Sequence, residues 1–269
     1  MDLGLGGKVV VVVGGARGIG AAIAAEFGRE GARVAILDAA PAVVEMAAAL
    51  PCEAGGRASG KQVDATDYAA VQEAAARIEA EIGAWDHVVY AAGLGSGKLG
   101  FPFWNLEPAD WDRVLRVNLM GAVHTAHAFA PSMSRRGAGT LLFLASVAGQ
   151  IGSQTDPPYS AAKAAAINFA QCAARDLAPF GVRVNCICPG MVQTDLNRSV
   201  WQAWNARQPE ADRRGYEDWG ADKVSRVAPL GRWQQPGEIA ALAVYLASHH
   251  AVNITGQTLN VDGGQVMHA

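Results

Sequence analysis

Five consecutive valines, Val9 to Val13, break at once into Gly14-Gly15-Ala16-Arg17-Gly18-Ile19-Gly20 and then into an Ala-rich stretch from Ala21 to Gly31. A β-branched run with no polar position reads as a strand covered on both faces, which is a parallel-sheet strand. Such a strand needs neighbours, and parallel neighbours need crossover segments long enough to hold a helix. The remaining chain supplies them. Arg33 to Leu37, Gly60 to Val63, His87 to Tyr90, Gly139 to Leu144, Arg183 to Ile187 and Thr258 to Val261 read as further short strands, separated by helix-length amphipathic segments.

This alternation predicts an α/β fold, a doubly wound parallel sheet of about seven strands with helices on both faces, in a single Rossmann-type domain spanning residues 1–269. One region departs from the pattern. Thr194 to Pro229 is polar and Trp-rich and reads as an insertion before the last helix, a helical lid over residues 194–229.

At 269 residues and 51% hydrophobic the chain buries a large single core. Its net charge of -3 provides no polycationic surface for nucleic acid, so the expected partner is a small molecule. Cys52, Cys172, Cys186 and Cys188 form no Cys-x-x-Cys pair, and reduced thiols are expected. The amino end has no basic segment leading into a cleavage site, and Val9 to Val13 is too short to cross a bilayer. These features predict a cytoplasmic protein with no membrane partner.

A glycine turn between a buried strand and a helix lets backbone approach a pyrophosphate and aims helix N-terminal N–H groups at it. Asp38 ends the next strand. Its carboxylate suits the two hydroxyls of an adenosine ribose and repels a 2′-phosphate, while Ala39 supplies no cation for one; NAD is therefore favoured over NADP. Arg17 points the other way, since a guanidinium inside the turn suits a 2′-phosphate.

Tyr159 and Lys163 stand four residues apart, on one face of an expected helix. A fixed cation favours the phenolate and brings proton transfer within range. Together with the turn and Asp38, the pair resembles the classical short-chain dehydrogenase/reductase (SDR) family from about Lys8 to Gly264. Further motifs agree in order. Ser146 lies thirteen residues before Tyr159, the family's spacing, and Asn118 in Val-Asn-Leu-Met-Gly matches the helix Asn of its catalytic tetrad. Asp64 matches its adenine-contacting Asp, and Pro189-Gly190 with Thr194 matches the segment holding the nicotinamide carboxamide. Val261-Asp262-Gly263-Gly264 matches its closing strand.

The resemblance implies catalytic roles for Asn118, Ser146, Tyr159 and Lys163. It implies cofactor contacts from Gly14, Arg17, Gly18, Ile19, Gly20, Asp38, Asp64, Ala65, Ala92, Gly93, Tyr159, Lys163, Pro189, Gly190, Val192 and Thr194. In this scheme Ser146 and Tyr159 hydrogen-bond the substrate oxygen, Tyr159 moves the proton, and Lys163 lowers the Tyr159 pKa and holds the nicotinamide ribose. Two positions depart from the family pattern. Val13 stands where Thr is usual, and Tyr90-Ala91-Ala92-Gly93 stands where Asn-Asn-Ala-Gly is usual, which removes side-chain hydrogen bonds that brace the sheet near the cofactor.

Leu94 to Trp104 follows the fourth strand at the end where such sheets bind ligands, and the lid should form the facing wall. Trp104, Trp201 and Trp204 are the candidate apolar contacts, favouring a bulky cyclic or aromatic alcohol or ketone. Gln150, Gln154 and Asp156 are candidate polar contacts for a second hydroxyl or carbonyl, alongside Ser146 and Tyr159. The lid's length also resembles that of polyol and diol dehydrogenases, which keeps a vicinal diol or sugar alcohol open.

His124 and His127 lie at i, i+3 without a carboxylate or Cys to complete a metal set, so no metal is expected. Helices around Trp111 to Ser134 and Tyr159 to Leu177 match the faces through which the family assembles, implying a homotetramer or homodimer. Two alternatives stand beside an NAD-dependent alcohol dehydrogenase or ketone reductase. One is an NADPH-dependent carbonyl or 3-oxoacyl reductase, and the other is a non-catalytic nucleotide-sensing or scaffold protein that kept the fold.

Overall fold

The computed structural model describes residues 1–53, 55–152 and 156–267. Seven parallel strands form one sheet in the order β3-β2-β1-β4-β5-β6-β7. They are β1 (Val9–Val13), β2 (Arg33–Asp38), β3 (Arg57–Gln62), β4 (His87–Tyr90), β5 (Gly139–Leu144), β6 (Val182–Pro189) and β7 (Thr258–Val261). The helices are α1 (Gly18–Arg29), α2 (Val43–Ala48), α3 (Tyr68–Glu81), α4 (Ala109–Leu115), α5 (Gly121–Arg136), α6 (Pro157–Leu177), α7 (Asp195–Asn205), α8 (Tyr216–Val227) and α9 (Pro236–Ala247).

The all-valine first strand is explained by its place. Val9, Val11 and Val13 join one apolar cluster with residues of α3, α5 and α6, while Val10 and Val12 join a second with residues of α1 and α9. Each side chain is removed from water, at about 1.5–3 kcal/mol apiece, so neither face of β1 tolerates a polar residue. At the sheet's edge the pattern reverses. β3 reads Arg-Ala-Ser-Gly-Lys-Gln with no fully buried residue, and it starts three residues earlier than its apolar segment suggests.

Strand order reverses direction between β1 and β4, which opens a crevice at their carboxyl ends. Backbones meet closely there. A Cβ on Gly14 would lie 2.3 Å from the Ala92 nitrogen, and Gly14 has φ +81°, so both sterics and conformation require glycine.

The segment expected as one helix from Trp111 to Ser134 is interrupted. Between α4 and α5, residues Arg116–Met120 form a turn of π-helix with Asn118 at its centre. Such widened turns interrupt the regular ladder and recur at functional sites. The lid contains α7 and α8, joined by a short 3-10 turn, Glu210–Asp212. Its apolar faces form a third cluster in which Met191, Tyr216, Trp219, Val224 and Ala228 are buried.

Candidate active site

A cavity of about 1150 Å³ runs along the carboxyl edge of the sheet, from Asp38 past the glycine turn to Tyr159 and on to the lid. All the residues expected at the nucleotide line it, together with Ser146. Asn118 lies behind the wall, fully buried.

The turn is held from below by Asp38, whose Oδ2 accepts the Ala16 N–H at 3.0 Å while Oδ1 accepts that of Ala40 at 2.9 Å. Gly20 allows the helix to fold back over the turn, since a Cβ there would lie 2.0 Å from the Gly14 carbonyl oxygen. α1 then starts without a side-chain cap and without an acidic residue in its first turn. Its leading N–H groups are left for an anion, and a Cβ at Gly18 would have only Thr194 near it, 3.7 Å away. This is a cradle that fits a pyrophosphate. Arg17 is exposed at the rim of the cavity, and Asp64 closes a local turn by accepting the Thr66 N–H at 2.8 Å.

Ser146 follows β5 and caps a single 3-10 turn, Val147–Gly149, its Oγ accepting the Ala148 N–H at 3.2 Å. That turn rests directly on α6. A Cβ at Gly149 would sit 2.6 Å from the Lys163 carbonyl carbon, so only glycine permits the approach, and the Ser160 hydroxyl donates to the Ala148 carbonyl. The loop bearing Ser146 is thereby fixed against the helix bearing Tyr159 and Lys163.

Lys163 is buried, and its Nζ donates to the Leu144 carbonyl at 2.6 Å. Asn118 reaches the same point from the π-turn. Its Nδ2 donates to the carbonyls of Leu94 (2.7 Å) and Val114 (2.9 Å), and its Oδ1 accepts the Leu94 N–H at 3.3 Å. Gly93 lies between the two, where a Cβ would stand 2.9 Å from Asn118 Oδ1 and 3.4 Å from Lys163 Nζ.

The electrostatics differ from the sequence expectation. Lys163 Nζ lies 5.6 Å from the centre of the Tyr159 ring, and burial, not the ammonium, dominates the phenol. Burial pushes Tyr159 up to about 12, with Ser146 drawing it back and the Asp156 carboxylate adding to the rise. Burial also pushes Lys163 down to about 8. In the protein alone, Tyr159 is therefore a phenol near neutral pH.

The candidate substrate contacts are rearranged. Trp104 is 70% exposed and packs edge-on against Phe103, away from the cavity. Trp201 and Trp204 do share a face of α7, but that face turns into the lid, against Tyr216 and Trp219. Gln150 is engaged with Asn260 of β7 in a reciprocal amide pair of 2.7 and 3.0 Å. Gln154 lies outside the described residues. Asp156 does line the cavity: it is 8% exposed, its Oδ2 accepts the Ser96 N–H at 2.7 Å, and its Oδ1 is buried without a hydrogen-bond partner.

Sequence reasoning missed the remaining walls. Leu196, Ser199 and Val200 of α7, Lys223 and Val227 of α8, and Gln265 line the lid end of the cavity. The Tyr90 hydroxyl, expected only as a lost Asn, donates to the Val117 carbonyl inside the π-turn. Among the described residues no group of His, Cys, Asp and Glu is arranged to hold a metal, and no helix is long and apolar enough to cross a membrane. His124 instead faces the Ala65 carbonyl through Nδ1 at 3.0 Å.

A family model described as Enoyl-(Acyl carrier protein) reductase matches residues 14–266. The chain is 36% identical over 266 residues to D-threitol dehydrogenase of Mycolicibacterium smegmatis, covering 98% of this chain and 94% of that protein. It is 34% identical over 258 residues to 2-(S)-hydroxypropyl-CoM dehydrogenase 3 of Xanthobacter autotrophicus, covering 96% of each. The crystal structure of L-sorbose reductase from Gluconobacter frateurii, complexed with NADPH and L-sorbose, superposes with a TM-score of 0.89 at 28% identity, covering all of both chains. The chain belongs to the short-chain dehydrogenase/reductase family. Its relatives are oxidoreductases of alcohols and ketones, and its cavity fits the family's nicotinamide cofactor.

Proposed function

We propose that the protein is an NAD(H)-dependent oxidoreductase interconverting a secondary alcohol and its ketone, with Tyr159 as the proton-transfer group. The observation that carries this reading is the convergence of Tyr159, Ser146 and Lys163 on the cavity that also passes the uncapped start of α1. Bound nicotinamide supplies or accepts the hydride; Gly14 to Gly20 and the start of α1 would hold its pyrophosphate, and Lys163 its ribose. Ser146 and Tyr159 bind the reacting oxygen. A buried phenol gives its proton to a developing alkoxide in reduction and takes one back in oxidation. Asn118 fixes the loop at Leu94 beside Lys163.

The preference for NAD rests on Asp38 beside Ala39 at the adenosine end of the cavity. The NADPH reading is favoured by Arg17, which is exposed at the cavity rim with no ion-pair partner among the described residues, and by the NADPH bound in the L-sorbose reductase structure. Michaelis constants for the two cofactors in wild type and Asp38→Ala separate them: NAD should be preferred by wild type, and the preference should fall in the variant. A wild type that prefers NADPH overturns the Asp38 argument.

For the substrate, the tryptophans turn away from the cavity and Asp156 turns into it. A polar substrate, a diol or sugar alcohol, is therefore favoured over a bulky aromatic one, in line with relatives named for threitol and sorbose. A homotetramer remains the expected assembly. Tyr159→Phe tests the chemistry: turnover should disappear while nucleotide binding stays. Turnover at the wild-type rate would sink the mechanism, whereas nucleotide binding with no turnover in the wild type would leave the non-catalytic reading.

A further inference from the structure

Several charges in the lid are matched to partners. Asp222 pairs with Arg214 and Arg226, and the Arg198 guanidinium lies over the Tyr216 ring at 4.3 Å. Lys223 is the lid cation that lines the cavity, and it has no carboxylate partner among the described residues. It is half-buried on α8 and lines the same chamber as Tyr159. Its Nζ rests instead over the face of Trp219, 4.9 Å from the ring centre. A ring face orients an ammonium and offsets part of its desolvation, but leaves its charge uncompensated. Gln265 stands on the same wall, with its Oε1 buried and unpartnered.

We propose that Lys223 is a specificity-determining residue that pairs with an anionic group, a carboxylate or phosphate, carried by the substrate at the end remote from the reacting carbon. The proposal rests on the oxidoreductase reading above and narrows its substrate to anionic hydroxy or keto compounds. Trp219 is the platform: it is buried in the lid's own cluster, so the Lys223 ammonium is held over a fixed ring on a side chain that lines the chamber. Burial lowers the Lys223 pKa. An anion arriving with substrate would offset that effect, and charge matching in a water-poor chamber discriminates more strongly than in solution. Asp195 also lines the cavity, at the start of α7, and forms no ion pair with Lys223.

Matched ketone pairs test it: 4-oxopentanoate with its methyl ester, 4-oxocyclohexanecarboxylate with its methyl ester, and dihydroxyacetone phosphate with dihydroxyacetone. In wild type the acid or phosphate should exceed its neutral partner in kcat/KM by about tenfold or more, the equivalent of one ion pair of about 1.4 kcal/mol. Lys223→Met, which keeps an unbranched side chain beside Trp219 without the charge, should bring the ratio to about one by raising KM for the anion, with the neutral partner's kcat and the affinity for both nicotinamide cofactors unchanged. Lys223→Arg should retain the preference. The carboxylate and phosphate arms identify which anion is meant. Thermal stabilisation of the wild-type and Lys223→Met proteins by each probe supplies a reading independent of turnover. No preference for the anionic member in either measurement overturns the proposal, as does an equal loss for both members or a change in cofactor affinity in the Met variant. Failure of the underlying chemistry looks different: Tyr159→Phe would then leave turnover intact.

Discussion

The Tyr90 hydroxyl donates to the carbonyl of Val117, the residue before Asn118, and so joins the end of β4 to the π-turn that carries the Asn. Tyr90 is 2% exposed, and its oxygen occupies the space a Cβ on Gly121 would take, 2.1 Å away. The family's usual Asn at this position braces the sheet; here a longer side chain braces the widened turn instead.

Tyr90→Phe removes one buried hydrogen bond without changing the ring's packing. Stability should fall by about 1–2 kcal/mol, read as a lower melting temperature, and kcat should fall with cofactor affinity unchanged, because Asn118 loses its support. Gly121→Ala forces the Tyr90 ring aside and should cost more, about 2 kcal/mol or above.

Tyr159 sets the direction of the pH response. Its pKa is pushed up to about 12 by burial, so in the proposed reaction the phenol that serves ketone reduction is present across neutral pH, whereas the phenolate that serves oxidation is scarce. Alcohol oxidation should accelerate as pH rises, while reduction stays flat well into the alkaline range. Because Ser146 draws the pKa down, Ser146→Ala should move the oxidation profile to higher pH, which initial rates across pH will show.

Lys163 carries a stability cost alongside the role proposed for it. Its folded pKa, about 8, lies below the ordinary 10.5, so the fold disfavours the charged form. The penalty is fully present below pH 8 and fades as pH rises toward 10.5, so this group makes the protein more stable with rising pH across that window. Its size is about 3 kcal/mol, against about 1–2 kcal/mol for the bond to Leu144. Lys163→Met should therefore be inactive yet melt no lower than wild type at pH 7, without the alkaline gain.

His87 governs the acid side. Burial, the largest cause, lowers it to about 4, and the ring sits in the core with Nδ1 2.8 Å from Thr140 Oγ1. A depressed histidine supports the fold fully above its ordinary value of 6.5, and that support is lost as pH falls from 6.5 to 4. Unfolding titrations should lose about 3 kcal/mol over that interval, and His87→Gln should flatten this part of the profile.

Asp156 latches the loop after β4 to the start of α6 through the Ser96 N–H. Asp156→Ala should free that loop, raising KM for substrate about tenfold with a smaller effect on kcat, and proteases should cut between residues 94 and 104 faster than in wild type. Asp156→Asn keeps an acceptor for Ser96 and should restore most of the KM.

Much of the fold was legible because burial leaves a one-dimensional trace. Val9 to Val13 had to be doubly covered, and the strand-turn-helix placed the cradle next to it. β3 was legible only from its middle, since Arg57, Ser59 and Lys61 on a sheet edge carry no apolar signal. At the site, Ser146, Tyr159 and Lys163 were readable from their spacing. The direction in which Trp201 and Trp204 face was not, because i, i+3 spacing defines a helix face without saying what lies opposite. Lys223 and the bond from Tyr90 to Val117 depend on approaches between distant segments, which sequence spacing does not encode.

The lid's aromatic cluster is closed upon itself: Trp201, Trp204, Tyr216, Trp219 and Trp233 pack together, and a Cβ on Gly220 would collide with the Trp233 ring. Its cohesion is thus separate from the two clusters that hold the sheet. A substitution in the cavity wall on α7 or α8 is therefore absorbed within that cluster, and the strands and helix that carry Ser146, Tyr159 and Lys163 keep their packing.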